Sequence, residues 1–131
     1  MNMDKVPECN CSAGEMMIFP CAGACNVGQL ANDLAKSLSN NGTGKMACIA
    51  AVGAGGMLAI NAAKQTKIIL VLDGCPVGCA KKILDKNGVT TTTQVIMTEL
   101  GLKKTDELSY QQDALEKGRS LVMEKLRNLP R

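Results

Sequence analysis

The stretch from Lys67 to Leu72 constrains the fold more than any other, because residues Ile68–Leu72 are continuously apolar. A strand that is apolar on both faces is typical of a parallel sheet with helices packed on both sides. The run ends at Asp73–Cys79, whose sequence is DGCPVGC, and Pro76 suits the first position of a following helix. The segment therefore places two cysteines where a buried strand gives way to a helix.

An earlier segment repeats this arrangement. Met16–Phe19 is a short apolar run ended by Pro20, and it leads into Cys21–Cys25, whose sequence is CAGAC. The segment Asn26–Gln29 resembles a capping box and predicts a helix over residues 27–39. The remaining predicted elements are a strand over 46–52, a helix over 57–64, a helix from Pro76 to Asn87, a strand over 91–97, and a long helix opened by a second capping box, Ser109–Gln112.

Strands and helices alternate along the chain, which predicts a three-layer α/β/α fold with a four-stranded parallel sheet, Rossmann-like or flavodoxin-like. The expected strand order is 2-1-3-4, and ligands in such sheets bind beyond the carboxyl ends of the strands where the order reverses. That point lies between strands one and three, the two strands followed by a C-x3-C pair. We expect residues 1–15 to be an irregular leader and residues 16–131 to be a single domain.

Composition excludes several classes of function. The chain has no histidine, which rules out Ser-His-Asp and Cys-His catalysis and zinc sites with imidazole ligands. Phe19 and Tyr110 are the only aromatic residues and the net charge is +3, so we expect no nucleic-acid partner. No apolar run is long enough to span a bilayer and Met1–Glu8 lacks a signal-peptide pattern, which favours a cytoplasmic protein without membrane contact. The sequence leaves a homo-oligomer open.

Seven cysteines in a reducing compartment indicate metal or redox chemistry rather than a disulfide framework. Cys75 at a helix N-cap and Cys79 one turn later would lie on one face, with Cβ atoms about 5–6 Å apart. Cys21 and Cys25 would face them. Four thiolates form a closed tetrahedral zinc site, and their softness also admits copper(I) or an iron–sulfur cluster. The predicted cofactor and partner is a metal ion, with zinc as the first candidate.

Two other interpretations of the cysteine pairs stay open. Cysteine is often simply buried in the core. Alternatively, the chain is an enzyme of thiol–disulfide exchange or sulfur transfer, with Cys75 as the nucleophile and Cys79 or Cys21 as the resolving thiol.

The other three cysteines are weaker candidates for metal ligands. Cys48 is predicted in the middle of the second strand, about 10 Å from its end, which favours a buried core thiol unless that strand ends early. Cys9 and Cys11 lie on the leader, where exposed thiols without a function are expected, although they could fold back as extra ligands.

Several residues near the cysteine pairs have two interpretations. Asp73 is either a hydrogen-bond acceptor and cap near the site or only the end of the strand. Lys81 and Lys82 either offset the charge of thiolates or belong to a solvated helix face. The Gly53–Gly56 turn, predicted between a strand and a helix, is either a plain glycine-rich turn or a binding site for a small anion or nucleotide.

Three cysteine motifs in order resemble a known family. They are Pro20–Gln29 (PCAGACNVGQ), Gly44–Cys48 (GKMAC) and Asp73–Lys82 (DGCPVGCAKK). Over about residues 18–104 the sequence resembles the DGC-domain proteins, which take their name from the Asp-Gly-Cys motif and are described as zinc-binding. The resemblance implies a ligand set of Cys21, Cys48, Cys75 and Cys79, with a small residue such as serine often at the position of Cys25. It therefore makes Cys48 a ligand candidate alongside Cys25.

Overall fold

The computed structural model describes residues 15–130, which form a four-stranded parallel sheet in the order β2-β1-β3-β4. This is the predicted order. The strands are β1 Met16–Pro20, β2 Lys45–Met46, β3 Ile68–Asp73 and β4 Thr93–Ile96. The helices are α1 Asn26–Asn40, α2 Ile49–Gly53, α3 Met57–Gln65, α4 Cys79–Lys86 and α5 Asp113–Arg127, with a 3-10 helix at Met97–Leu100.

Alternate residues of the two central strands face opposite helix layers, which confirms the three-layer prediction. Met17 and Phe19 of β1 pack with α2, α3 and α4 on one side of the sheet. Ile18 of β1 and Leu70 of β3 pack with α1 and α5 on the other. Both faces of the sheet are therefore buried. No helix within residues 15–130 is long and apolar enough to cross a membrane.

The second predicted strand is wrong beyond Met46. Residues Ile49–Gly53 form helix α2, which packs against α4. An apolar run of this length fits a buried strand and a buried helix equally well by pattern, and its alanines favour the helix.

Helix α4 begins at Cys79, three residues later than predicted from Pro76. The Gly78 N–H donates to the Cys75 carbonyl at 3.1 Å, which closes a four-residue turn with Pro76 at its second position. That position suits the fixed φ of proline as well as the first turn of a helix does. Gly78 has a φ of 67°, which a glycine adopts without strain.

The last helix also begins later than predicted. Gln112 precedes the first residue of α5 and makes no side-chain cap, so the predicted capping box at Ser109–Gln112 is wrong. Residues 101–112 instead follow an irregular path from the sheet to α5.

The Gly53–Gly56 segment begins at Gly53, the last residue of helix α2, and not after a strand. Gly56 N–H donates to the Ala51 carbonyl at 2.9 Å and Gly55 N–H to the Val52 carbonyl at 3.0 Å, while Gly55 has a φ of 79°. This is a Schellman motif, in which glycine ends a helix and satisfies its last carbonyl groups. Because these N–H groups already donate to α2, the turn does not present them to an anion, and the helix end explains Gly55 and Gly56.

A candidate cysteine site

A pocket of about 240 Å³ lies beyond the carboxyl ends of β1 and β3. Four cysteines line it, two from each of the predicted pairs, namely Cys21, Cys25, Cys75 and Cys79. The other side chains with charge or hydrogen-bonding capacity in its lining are those of Asp73 and Lys104. The structure therefore brings the two C-x3-C segments together at the point where the strand order reverses.

The loop after β1 curls so that both of its sulfur atoms border the same space. The Cys21 N–H still pairs with the Leu72 carbonyl of β3 at 2.9 Å, and the chain then turns through Ala22, a non-glycine residue with a φ of 51°. A Cβ atom placed on Gly23 would lie 3.8 Å from Cys21 Sγ and 4.0 Å from Cys25 Sγ. The Gln29 side chain fixes the turn by donating to the Gly23 carbonyl at 3.0 Å.

Cys25 also caps helix α1. Its backbone is extended, and its Sγ accepts a hydrogen bond from the Gly28 N–H at 3.3 Å. This satisfies one of the amide groups that lack a partner in the first turn of a helix. The cap therefore lies one residue earlier than the predicted Asn26, whose side chain has another role.

Close contact between backbones holds the two cysteine loops together. A Cβ atom on Gly74 would lie 2.8 Å from the Gly28 N, and one on Gly28 would lie 2.5 Å from the Gly23 O. Only residues without a side chain allow this approach. As a direct link, the Gly74 N–H donates to Cys21 Sγ at 3.3 Å.

Asp73 is the cap of helix α4, which settles the two interpretations of this residue. Its side chain is buried with 1% exposure and accepts from Ala80 N–H at 2.9 Å and Lys81 N–H at 3.3 Å. The Gln94 side-chain amide donates to the same carboxylate at 2.8 Å. Gly78, the residue before α4, has no side chain that could cap the helix. Asp73 at the end of β3 caps it instead and fixes the start of α4 at Cys79.

Burial raises the pKa of the Cys21 thiol above its usual value, an effect partly offset by hydrogen bonds from the backbone at Gly23 and Gly74. Taking this sulfur out of water disfavours the charged form. Burial therefore disfavours the thiolate form of Cys21.

Lys104 is a residue of the pocket that the sequence did not reveal. Its Nζ lies 3.4 Å from Cys75 Sγ, and this hydrogen bond raises the pKa of Lys104 above its usual value. Lys81, one of the two predicted cations, instead pairs with Asp85 at 2.9 Å, and Lys82 is exposed on α4. No local pattern marks Lys104, because it belongs to an irregular segment that only the fold brings to the cysteines.

Cys48 does not line the pocket of the four cysteines, and it is exposed, so its predicted burial in the core is wrong. The cause is the early end of β2, which leaves Cys48 as the residue before α2. It lines a different pocket of about 520 Å³, which also borders Pro20 and Ala22 on the loop that carries Cys21. Cys9 and Cys11 lie outside the described residues.

The donor chemistry of the pocket fits a soft metal, whereas the side-chain positions are not those of a loaded site. Within residues 15–130 no three cysteine, aspartate or glutamate side chains are grouped closely enough to hold an ion. The sulfurs of Cys21, Cys25 and Cys75 are each turned toward a hydrogen-bond donor, respectively the Gly74 N–H, the Gly28 N–H and Lys104. Ligation would require these side chains to rotate toward the middle of the pocket.

The fold and the pocket together define a class: a parallel three-layer α/β protein with four thiols at the switch point of its sheet. The DGC domain family matches residues 17–122, and the chain belongs to that family. A relative in Pseudomonas aeruginosa, the anaerobic and virulence modulator AnvM, is 42% identical over 88 residues, which cover 67% of each chain. No solved structure shows a significant match.

Proposed function

We propose that this protein binds a soft metal ion, zinc first, through cysteine thiolates in the pocket beyond β1 and β3. The observation that carries the proposal is the convergence of Cys21, Cys25, Cys75 and Cys79 on one pocket. Thiolate is the preferred ligand of zinc in closed structural sites and of copper(I). Membership of the DGC domain family supports the same chemistry.

The fourth ligand is the part of the proposal that needs its own test. Cys25 lines the pocket, whereas Cys48 lines a different one, which also borders Pro20 and Ala22. The pocket therefore favours Cys25, and the family resemblance favours Cys48. We take Cys25 as the fourth ligand.

Elemental analysis of protein purified without added metal, together with a count of free thiols, tests the proposal. We expect about one zinc ion per chain and protected thiols, as in closed four-thiolate sites. Cys75→Ser should lose the metal, Cys25→Ser should lose most of it, and Cys48→Ser should retain it. Metal-free protein with one fast-reacting thiol would contradict metal binding, and retention of zinc by both Cys25→Ser and Cys48→Ser would contradict a site of four cysteines.

A second candidate is thiol–disulfide exchange at Cys75, favoured by the contact between Lys104 Nζ and Cys75 Sγ. The Cys75 thiolate would attack one sulfur of a substrate disulfide and release the other sulfur as a thiolate. Cys79 or Cys21 would then attack the mixed disulfide, which releases the second substrate thiol and leaves a disulfide in the protein. The substrate is reduced by two electrons and the cysteine pair is oxidised by two.

The two candidates differ in what is left after a reaction with an excess of small-molecule disulfide. Exchange leaves an intramolecular disulfide that includes Cys75, found by mass spectrometry in metal-free protein. If Cys75 remains a thiol under these conditions, the exchange candidate fails.

A further inference from the structure

Lys104 is the charged side chain that contacts a sulfur of the cysteine pocket. Of the two charged residues in the pocket lining, Asp73 has both carboxylate oxygens engaged by N–H donors from α4 and Gln94. Lys104 Nζ instead lies 3.4 Å from Cys75 Sγ. The pocket thus combines several potential thiolates with a single ammonium group directed at them.

Asn26 holds the segment that carries Lys104. Its side-chain amide donates to the Lys103 carbonyl at 2.9 Å, and its side-chain oxygen accepts from the Thr105 N–H at 2.8 Å. The Asn26 N–H also donates to the Thr105 carbonyl at 3.1 Å. Asn26 therefore makes three hydrogen bonds to the residues on either side of Lys104. Asn26 itself is buried at the start of α1, with 8% exposure.

We propose that Lys104 is a binding residue of the cysteine pocket, donating to the Cys75 sulfur and offsetting the negative charge of the ligand set, and that Asn26 is the residue that positions it. The part that concerns ligand affinity rests on metal binding as the function. The part that concerns the environment of Cys75 rests on the contacts of Lys104 and Asn26 alone.

The negative charge of a thiolate ligand set explains the role of a lysine beside it. Four thiolates around one divalent ion leave a net charge of about −2, which is stabilised by hydrogen-bond donors and by nearby cations. Lys104 is exposed, so solvent and salt weaken its effect. An exposed charge of this kind changes an equilibrium by about two- to fivefold.

The central comparison uses Lys104→Met, with Lys104→Arg as the variant that keeps the charge and Lys82→Met as a matched control. Lys82 lies three residues after Cys79 on an exposed part of α4, so its replacement makes the same change in net charge. Zinc affinity is measured by competition with a chromophoric chelator. In metal-free protein, the rate of Cys75 alkylation by iodoacetamide is measured on the tryptic peptide of residues 68–81, which is fragmented in the mass spectrometer to distinguish Cys75 from Cys79.

We expect Lys104→Met to lower zinc affinity and to slow alkylation of Cys75 by about two- to fivefold at low salt, with a smaller difference at high salt. Lys104→Arg and Lys82→Met should stay close to the unmodified protein in both measurements. The proposal is wrong if Lys104→Met has the zinc affinity and the alkylation rate of the unmodified protein. It is also wrong if Lys82→Met changes these quantities as much as Lys104→Met does.

Asn26→Ala tests the positioning role, because it keeps the lysine and removes the contacts of the side chain that hold it. We expect slower alkylation of Cys75 in this variant, and no further slowing when Asn26→Ala is added to Lys104→Met. Additive effects would contradict positioning through Lys104. Should Asn26→Ala lower the melting temperature too far for study, the comparison of Lys104→Met with Lys104→Arg still decides the role of the charge.

The two measurements separate this proposal from the proposed function. If the unmodified protein binds no zinc, the metal proposal fails, and the alkylation rates still decide whether Lys104 acts on Cys75. If the unmodified protein binds zinc and Lys104→Met changes neither measurement, the Lys104 proposal alone fails.

Discussion

Cys25 is a helix cap in the structure and a metal ligand in the proposed function, and the two roles need different orientations of its sulfur. In the structure Cys25 Sγ accepts the Gly28 N–H and caps α1, and it also borders the pocket shared with Cys21, Cys75 and Cys79. Serine is among the preferred residues for the first role, and its hydroxyl oxygen is a poor ligand for a soft metal. A serine at this position would therefore keep the helix cap and remove the proposed ligand.

The substitutions Cys25→Ser and Cys25→Ala separate these roles. In metal-free protein we expect Cys25→Ser to change the free energy of unfolding by less than about 0.5 kcal/mol, because the cap is kept, and Cys25→Ala to lower it by about 0.5–2 kcal/mol. Urea unfolding measures both. Equal destabilisation by the two substitutions would show that the cap contributes nothing.

Individual residues of the site were predictable where a strand or helix carries them and not where a tertiary contact does. Cys21, Cys25, Cys75 and Cys79 follow β1 and β3 directly, so strand prediction was enough to bring them together. Lys104 reaches the pocket through hydrogen bonds from Asn26, a contact between residues 77 apart. Such a contact leaves no periodic signal in the sequence.

At the scale of elements, three glycine backbones place the cysteine loops. Gly23, Gly28 and Gly74 touch where the loop after β1, the start of α1 and the loop after β3 meet. Their contacts replace side-chain packing at this point. The glycine of the Asp-Gly-Cys motif is therefore explained by its contact with α1 rather than by a special backbone angle.

Gly74→Ala tests this contact, with Gly53→Ala as its control. The added Cβ at residue 74 meets backbone atoms at 2.8 and 2.9 Å, whereas at residue 53 it meets Ile83 at 3.7 Å in ordinary contact. We expect Gly74→Ala to lower the free energy of unfolding by about 1–3 kcal/mol. Gly53 lies in a helix, so Gly53→Ala should leave the free energy of unfolding unchanged or raise it by up to about 1 kcal/mol.

Chemical denaturation of both variants provides the measurement. A Gly74→Ala protein as stable as its control would show that the loop and α1 separate at little cost, and that this contact does not fix the cysteine loops.

Prediction of element boundaries failed where one local pattern fits two structures. The apolar run after Met46 suits a strand or a helix, and it became α2. Pro76 suits the first turn of a helix or the second position of a β-turn, and it lies in the turn. In each case tertiary packing decides which structure forms. Two cysteines were affected: Cys48 is exposed, and Cys79 rather than Cys75 begins α4.

At the scale of the whole molecule, the sheet order and the three layers followed from the alternation of strands and helices alone. The rules for parallel connections leave few topologies for four strands, so errors in single boundaries did not change the order. The switch point, and with it the pocket, was therefore predictable.

Tyr110 links the irregular segment before α5 to α1, and this contact makes the stability of the molecule depend on pH. Its hydroxyl donates to Asp33 Oδ2 at 2.5 Å, and burial, followed by this hydrogen bond and the charge of Asp33, raises the pKa of Tyr110 from 10.0 to about 12. Since the pKa in the folded protein is higher than in the unfolded chain, the stabilisation is complete below about pH 10 and is lost as the pH rises toward about 12.

We therefore expect the difference in unfolding free energy between the unmodified protein and Tyr110→Phe to change between about pH 10 and pH 12, with the unmodified protein losing more. Urea unfolding of both proteins at a series of alkaline pH values measures this, and the titration of lysines and cysteines cancels in the difference. A difference that is constant with pH would show that the Tyr110 hydroxyl gains nothing from Asp33.

The two outer strands of the sheet are short, with two residues in β2 and four in β4. A strand at the edge of a sheet can pair with a strand of another chain, and very short edges give such pairing little length to build on. Copies of this protein are thus protected against joining edge to edge into a continuous sheet. Side-by-side pairing of sheets from two copies through residues 15–130 is therefore disfavoured.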